Sequence, residues 1–141
     1  MTVGKTSLFI HIGRVLIALY FLVPGLMKFA DPGLHLELME RHNVPYAEPL
    51  LYVAGIANVA GALLLLANRH VRLIALGFVL YILIVNAMMH DFWNFDGIEG
   101  QHEMQNFIKN LGILAGCLVL AGVSRARDLK LSNLLVSDAK A

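Results

Sequence analysis

A set of amides, two lysines and a histidine lies within or beside apolar segments, where polar side chains are costly and usually functional. Asn86 and His90 are four residues apart, as are Asn106 and Asn110, so each pair shares one helix face. Such donors suit an anionic or carbonyl-bearing ligand. We therefore predict one ligand-binding set: Lys28, Asn58, Asn86, His90, Asn106, Lys109 and Asn110.

A second interpretation needs no ligand. Asparagines join membrane helices by hydrogen bonds, and long cationic side chains extend to the headgroups. Arg14 suits that second role, since it lies near the opposite end of the first apolar segment from Lys28. No Asp or Glu occurs inside any apolar segment to balance Lys28 and Lys109. The two interpretations stay open at the level of sequence.

The composition identifies the environment of these residues. The chain of 141 residues is 58% hydrophobic and 15% charged, against about 45–50% and 25% in soluble domains. Four segments approach the length that spans a bilayer, namely 7–29, 49–67, 71–89 and 105–123. Because lipid requires every backbone group to be paired internally, we expect helices. The predicted fold is all-α: a single polytopic membrane domain, a four-helix antiparallel bundle, followed by a short tail, 124–141.

Charge predicts the orientation. Lys and Arg are in excess at both ends of the chain and around the short link at 68–70. The loops 30–48 and 90–104, by contrast, are acidic. By the positive-inside rule, both termini are cytoplasmic and the acidic loops lie outside, which suits a multi-pass protein of a bacterial inner membrane. In the first of these loops, residues 35–42 suggest a short amphipathic helix on the membrane surface.

The sequence gives little support for nucleic-acid binding, a metal site or a known catalytic motif. The net charge of +1 and the lack of a basic run argue against a nucleic-acid partner. His90, Asp91, His102 and Glu103 are of metal-ligand types, but their spacing matches no metal-site pattern, so we predict no metal. No phosphate-binding loop, nucleophile elbow or paired cysteine motif is present, and the catalytic residues, if any, stay unassigned.

Several stretches resemble the DoxX family of small bacterial four-helix membrane proteins. They are GRVLIALYFLVPGLMKF, LMERHNVP, MMHDFW and NFIKNLGILAGCLVLAG, which together span about 13–122. The family includes a subunit of an archaeal thiosulfate:quinone oxidoreductase and members linked to protection against oxidative stress. Relatives often carry a glutamate in the second helix where this chain has Asn58. The resemblance implies the four-helix fold and a redox setting, and the missing carboxylate weakens a proton-coupled role for that position.

Three hypotheses follow for function. The first is an accessory membrane subunit that binds a quinone, or a similar lipid-soluble redox molecule, in the outer half of the bundle. Because the chain has no cofactor-binding motif, its electrons would come from a membrane or periplasmic redox partner. The second is a non-enzymatic scaffold that docks such a partner or a stress-response protein. The third is a small transporter, which would need a homo-oligomer because four helices are few for alternating access.

Overall fold

The computed structural model describes residues 7–139, and all regular secondary structure in this part of the chain is helical. The five α-helices are α1 (Leu8–Ala30), α2 (Pro32–Arg41), α3 (Ala47–Leu66), α4 (Val71–Met89) and α5 (Gly97–Val123). Single 3-10 segments occur at Phe92–Asn94 and Leu131–Leu135. Four of the α-helices, α1, α3, α4 and α5, are long and apolar enough to cross a membrane. The predicted all-α bundle is confirmed.

The helix boundaries agree with the sequence except at α5. The first three spans begin and end within two residues of the predicted positions, but α5 begins at Gly97 instead of residue 105. Its first two turns are polar, so hydropathy alone does not reveal them. The predicted surface helix is α2, which begins three residues earlier than expected because Asp31 caps it. The Asp31 carboxylate accepts from Leu34 N at 3.3 Å, and Pro32 occupies the first turn.

The four long helices form a closed antiparallel ring. Helix α1 packs chiefly on α3, and α4 packs chiefly on α5, while α1–α5 and α3–α4 contacts complete the ring. At its centre the rings of Phe21 and Phe78 stack with centroids 3.7 Å apart. Gly61 makes room for Phe78, since a Cβ there would lie 2.7 Å from that ring. We call the end that carries α2 and the α4–α5 connection the loop end, and the opposite end the terminal end.

Two glycines bring α1 and α3 into close contact near the loop end. A Cβ on Gly25 would lie 2.8 Å from the Cβ of Asn58, and one on Gly55 would lie 2.8 Å from the ring of Phe29. Real Cβ atoms essentially never show such distances. At Gly25 the obstacle is the Cβ of Asn58, so only glycine permits this helix separation there, whereas at Gly55 the ring of Phe29 would have to move. The close approach brings Lys28, on α1, against α3.

The terminal end is closed by side chains that satisfy helix termini. Arg14 is only 8% exposed, and its guanidinium donates to the carbonyl oxygens of Leu65 and Leu66 at the end of α3. The interpretation that Arg14 extends to lipid headgroups is therefore wrong, because free carbonyls at the end of a helix attract it inward. At the start of α4, Asp138 from the tail accepts from the backbone N–H groups of His70 and Val71 at 3.0 and 2.9 Å.

Candidate functional site

A cavity of about 190 Å³ lies at the loop end, between α1, α3 and α4 and the surface helix α2. Most of its wall is apolar: Leu38, Met39, Leu51, Ala54, Val85 and Met89. Four polar side chains complete the wall: Lys28, His35, Tyr81 and His90. An apolar cavity with a few directed polar groups is the usual form of a small-molecule site. Two of the four polar residues, Lys28 and His90, belong to the set predicted from the sequence.

Lys28 is the principal cation of this cavity. Its amine donates to Asn58 Oδ1 at 3.1 Å and to the carbonyl oxygen of Pro24 at 3.3 Å. Both acceptors are neutral, and no carboxylate of residues 7–139 lies within ion-pair distance of Lys28. A half-buried ammonium whose charge has no counter-charge nearby retains most of its attraction for an anionic or carbonyl oxygen.

Asn58 lies one helical turn deeper than Ala54 and is 1% exposed. Its oxygen accepts from Lys28, whereas its Nδ2 has no hydrogen-bond partner among the described residues. Tyr81 also lines the cavity. A buried donor without an acceptor costs about 1–3 kcal/mol. The arrangement of Lys28, Asn58 and Tyr81 therefore offers more donors than the protein itself satisfies.

Two other predicted asparagines bond to each other rather than to this cavity. Asn110 Nδ2 donates to Asn86 Oδ1 at 2.9 Å, and Tyr20 donates to Asn110 Oδ1 at 2.7 Å. Asn86 Nδ2 in turn donates to the carbonyl oxygen of Phe107 at 3.2 Å. These bonds link α1, α4 and α5, which is the helix-joining role of the second interpretation. A ligand-binding role for Asn86 and Asn110 stays a prediction.

Replacing Asn110 with leucine should lower the free energy of unfolding by about 1–2 kcal/mol, because it leaves the Asn86 oxygen and the Tyr20 hydroxyl unpaired. Unfolding by sodium dodecyl sulfate in mixed micelles measures this change. The matched control is Asn106→Leu, one turn earlier on the same helix, whose side chain has no hydrogen bond within residues 7–139. Equal losses in the two variants would contradict a specific role for the Asn86–Asn110 pair.

The structure does not bring Asn106 and Lys109 to the cavity. Neither residue lines it, and the Lys109 side chain is exposed on α5. Within the described part of the chain Lys109 has no hydrogen-bond or ion-pair partner. The two lysines that the sequence grouped together thus differ in surroundings, and Lys28 alone faces the apolar chamber.

His90 connects the cavity to a second group of side chains. Its Nδ1 lies 2.7 Å from Glu103 Oε2, and His42 Nδ1 lies 2.6 Å from Asp91 Oδ1. The sequence identifies Asp91 and Glu103 only as metal-ligand types with unsuitable spacing, within a loop at 90–104, and it places His42 at the end of the surface helix 35–42 without a role. The signal that was present is the run GIEGQHEM, in which Glu99 and Glu103 are four residues apart, as on one helix face. Within residues 7–139 no group of three His, Cys, Asp or Glu side chains is arranged to hold a metal ion.

These features define a multi-pass integral membrane protein with a polar site at one end of a four-helix bundle. The DoxX family model matches residues 9–91, more than half of the chain, so the chain belongs to the DoxX family. It is also similar to the inner membrane protein YphA of Escherichia coli (strain K12), with 26% identity over 110 residues that cover 78% of this chain and 79% of that protein. No solved structure matches the chain. The protein is thus placed in the bacterial inner membrane, and its contact with the lipid bilayer follows from the four apolar spans.

The family match covers the first four helices and ends at Asp91, so it includes Lys28, Asn58 and His90 but not α5. Which end of the bundle faces the cytoplasm stays a prediction from the distribution of Lys and Arg.

Proposed function

We propose that the protein binds a quinone, or a similar lipid-soluble redox molecule, in the loop-end cavity. The observation that carries this proposal is Lys28, a half-buried cation bonded only to neutral oxygens in a chamber whose wall is mostly apolar. A quinone ring needs such an apolar chamber together with donors for its two oxygens. Lys28, Tyr81 and His90 supply donors of this kind.

The donor set also favours one redox state over another. Reduction places negative charge on a quinone oxygen, and fixed donors stabilise that charge more than they stabilise a neutral carbonyl. The ammonium of Lys28 contributes most to this difference because its interaction with an oxygen is charge-assisted. The site therefore holds the reduced or partly reduced molecule more tightly than the oxidised one.

The chain carries no electron-transfer cofactor motif, so the protein acts in this proposal as an accessory subunit of a membrane oxidoreductase system. A membrane or periplasmic redox protein supplies or removes the electrons. The scaffold and transporter hypotheses stay predictions, and no feature of the cavity favours either of them over the quinone.

Replacing Lys28 with methionine should weaken binding of a ubiquinone analogue by about tenfold or more, since a hydrogen bond from a charged group contributes about 1.5–3 kcal/mol. The single tryptophan, Trp93, lies at the loop end three residues after His90, so quenching of its fluorescence by the quinone reports binding. Mass spectrometry of small molecules that co-purify with the intact protein identifies the natural ligand.

Lys109→Met is the matched variant, because it removes the same charge from the same end of the bundle without touching the cavity. We expect it to retain wild-type affinity. If purified protein carries no quinone and Lys28→Met binds the analogue as tightly as the wild type does, the proposed function is wrong.

A further inference from the structure

Four ionisable side chains form a continuous row at the loop end: His90, Glu103, His42 and Asp91. His90 Nδ1 lies 2.7 Å from Glu103 Oε2, Glu103 Oε1 lies 3.7 Å from His42 Nε2, and His42 Nδ1 lies 2.6 Å from Asp91 Oδ1. Imidazoles and carboxylates alternate along this row. The residues come from the ends of α2 and α4 and from the second turn of α5, so tertiary structure alone brings them together.

The row leads from the cavity to the surface. His90 lines the cavity. At the other end, the second oxygen of Asp91 accepts from Asn94 Nδ2 at 2.6 Å, and Asn94 is exposed. The side chains between these ends are shielded, with 17% of Glu103, 3% of His42 and 10% of Asp91 exposed. The His90 side chain at the cavity end is 21% exposed, so the row runs from an accessible histidine at the cavity, through shielded groups, to Asp91 beside the exposed Asn94.

The connectivity exceeds what an ordinary ion pair requires. A histidine held for structural reasons needs one acceptor, yet His42 uses both ring nitrogens on two carboxylates. Glu103 likewise uses both oxygens on two histidines. Each internal group thus has one neighbour towards the cavity and one towards the surface. The charges beside the row are Arg41, which pairs with Glu99 at 3.4 Å, and Lys28 in the cavity wall.

We propose that the row His90–Glu103–His42–Asp91 conducts protons between the ligand in the cavity and water at the loop end. This inference rests on the proposed quinone site. Histidine suits the task because it gains and loses a proton near neutral pH. The 3.7 Å step between Glu103 and His42 is the longest, and it closes by a small side-chain movement or through one water molecule.

The proton balance is that of quinone reduction. A quinone takes up two electrons from the reduced oxidoreductase partner and two protons from the row, and it becomes a quinol. For each proton, an N–H bond of His90 breaks as an O–H bond forms on one of the two quinone oxygens, so that each oxygen receives one proton. Glu103 then returns a proton to His90, His42 returns one to Glu103, and Asp91 passes one from water to His42. Oxidation of the quinol reverses every step.

The test uses the full-length protein in lipid nanodiscs with a bound naphthoquinone, which dithionite reduces in a stopped-flow experiment. Glu103→Gln keeps the shape of the side chain and one acceptor oxygen for His90, but it cannot carry a proton. It should slow quinol formation by about tenfold to a hundredfold, while affinity measured by Trp93 quenching changes by less than about twofold. His42→Gln interrupts the row on the other side of Glu103 and should give the same result, which guards against a folding defect in one variant.

Glu99→Gln is the matched control, since Glu99 lies one turn earlier on α5 and pairs with Arg41 outside the row. Its rate should equal that of the wild type. Normal binding with a normal rate in both Glu103→Gln and His42→Gln would overturn the relay and leave the proposed function intact. If the wild-type protein binds no quinone, the proposed function fails and the relay fails with it, because the row then has no proton acceptor.

Discussion

Replacing Gly25 with alanine is expected to destabilise the bundle by about 1–3 kcal/mol, the usual cost of overpacking. The new Cβ would lie 2.8 Å from the Cβ of Asn58, 3.1 Å from Cγ2 of Val59 and 3.2 Å from the backbone nitrogen of Val59. None of these atoms is the free end of a flexible side chain, so α1 and α3 must separate. Unfolding in mixed micelles measures the loss.

The same change should weaken binding of the quinone analogue. The atom that Gly25→Ala displaces first belongs to Asn58, whose oxygen holds the Lys28 amine at 3.1 Å. A change in stability together with a change in affinity would connect the close helix contact to the site.

Gly13→Ala is the control for this prediction. Gly13 lies on the same helix, and a Cβ at that position has nothing within 4 Å. Alanine is the better helix former, so this variant should be neutral or more stable by up to about 1 kcal/mol. If Gly13→Ala and Gly25→Ala behave alike, the α1–α3 contact does not depend on glycine in the way the structure indicates.

The architecture could be predicted from the sequence because it follows from a single constraint. Apolar segments of bilayer length must form helices, and short connections make neighbours antiparallel. The start of α5 escaped prediction because its first two turns, from Gly97 to Met104, are polar and extend beyond the apolar segment. Because the start of α5 was not predicted, the position of Glu103 on a helix was not predicted either. A helical turn at Glu103 places its carboxylate between His90 and His42, whereas an irregular loop allows no such inference.

The site could be predicted only in part. The sequence shows how deep a residue lies in the membrane more clearly than it shows which side of its helix the residue occupies. Lys28, Asn58 and His90 were grouped by depth, and the structure does bring Lys28 to Asn58 and both Lys28 and His90 to one cavity. Lys109 has a suitable depth but precedes Asn110 by one residue, which turns it by about 100° around the helix. Since Asn110 faces the interior, Lys109 faces outward. When adjacent residues are both polar, the sequence does not show which of them faces the bundle.

Contacts between residues far apart in the chain could not be predicted from the sequence. His42 and Asp91 are separated by 49 positions, and the contact between them depends on how α2 folds back over the bundle. Tyr81 and His35 join the cavity for the same reason. These residues are of types that occur widely in membrane interfaces and cores, so neither their identity nor their spacing distinguished them.

Exchanging Asn58 for aspartate is expected to lower the affinity for the quinone analogue by about tenfold, equivalent to about 1.4 kcal/mol. Aspartate has the shape of asparagine, so the tight contact with Gly25 is kept. Its carboxylate, however, would form an ion pair with the Lys28 amine that now lies 3.1 Å from a neutral oxygen. The ammonium would then have a permanent counter-charge and attract the ligand oxygen less strongly. Titration of Trp93 fluorescence with the analogue measures the effect.

The free energy of unfolding of each Asn58 variant distinguishes this electrostatic effect from a loss of the fold. We expect Asn58→Asp to keep the wild-type free energy of unfolding, because the new charge lies beside an existing opposite one. Asn58→Leu, of similar size, leaves Lys28 with the Pro24 carbonyl alone and should lose about 1–3 kcal/mol. If the aspartate variant binds the analogue as tightly as the wild type while remaining folded, Lys28 is not the cation that holds the ligand, and the donors of the cavity must be sought in Tyr81 and His90.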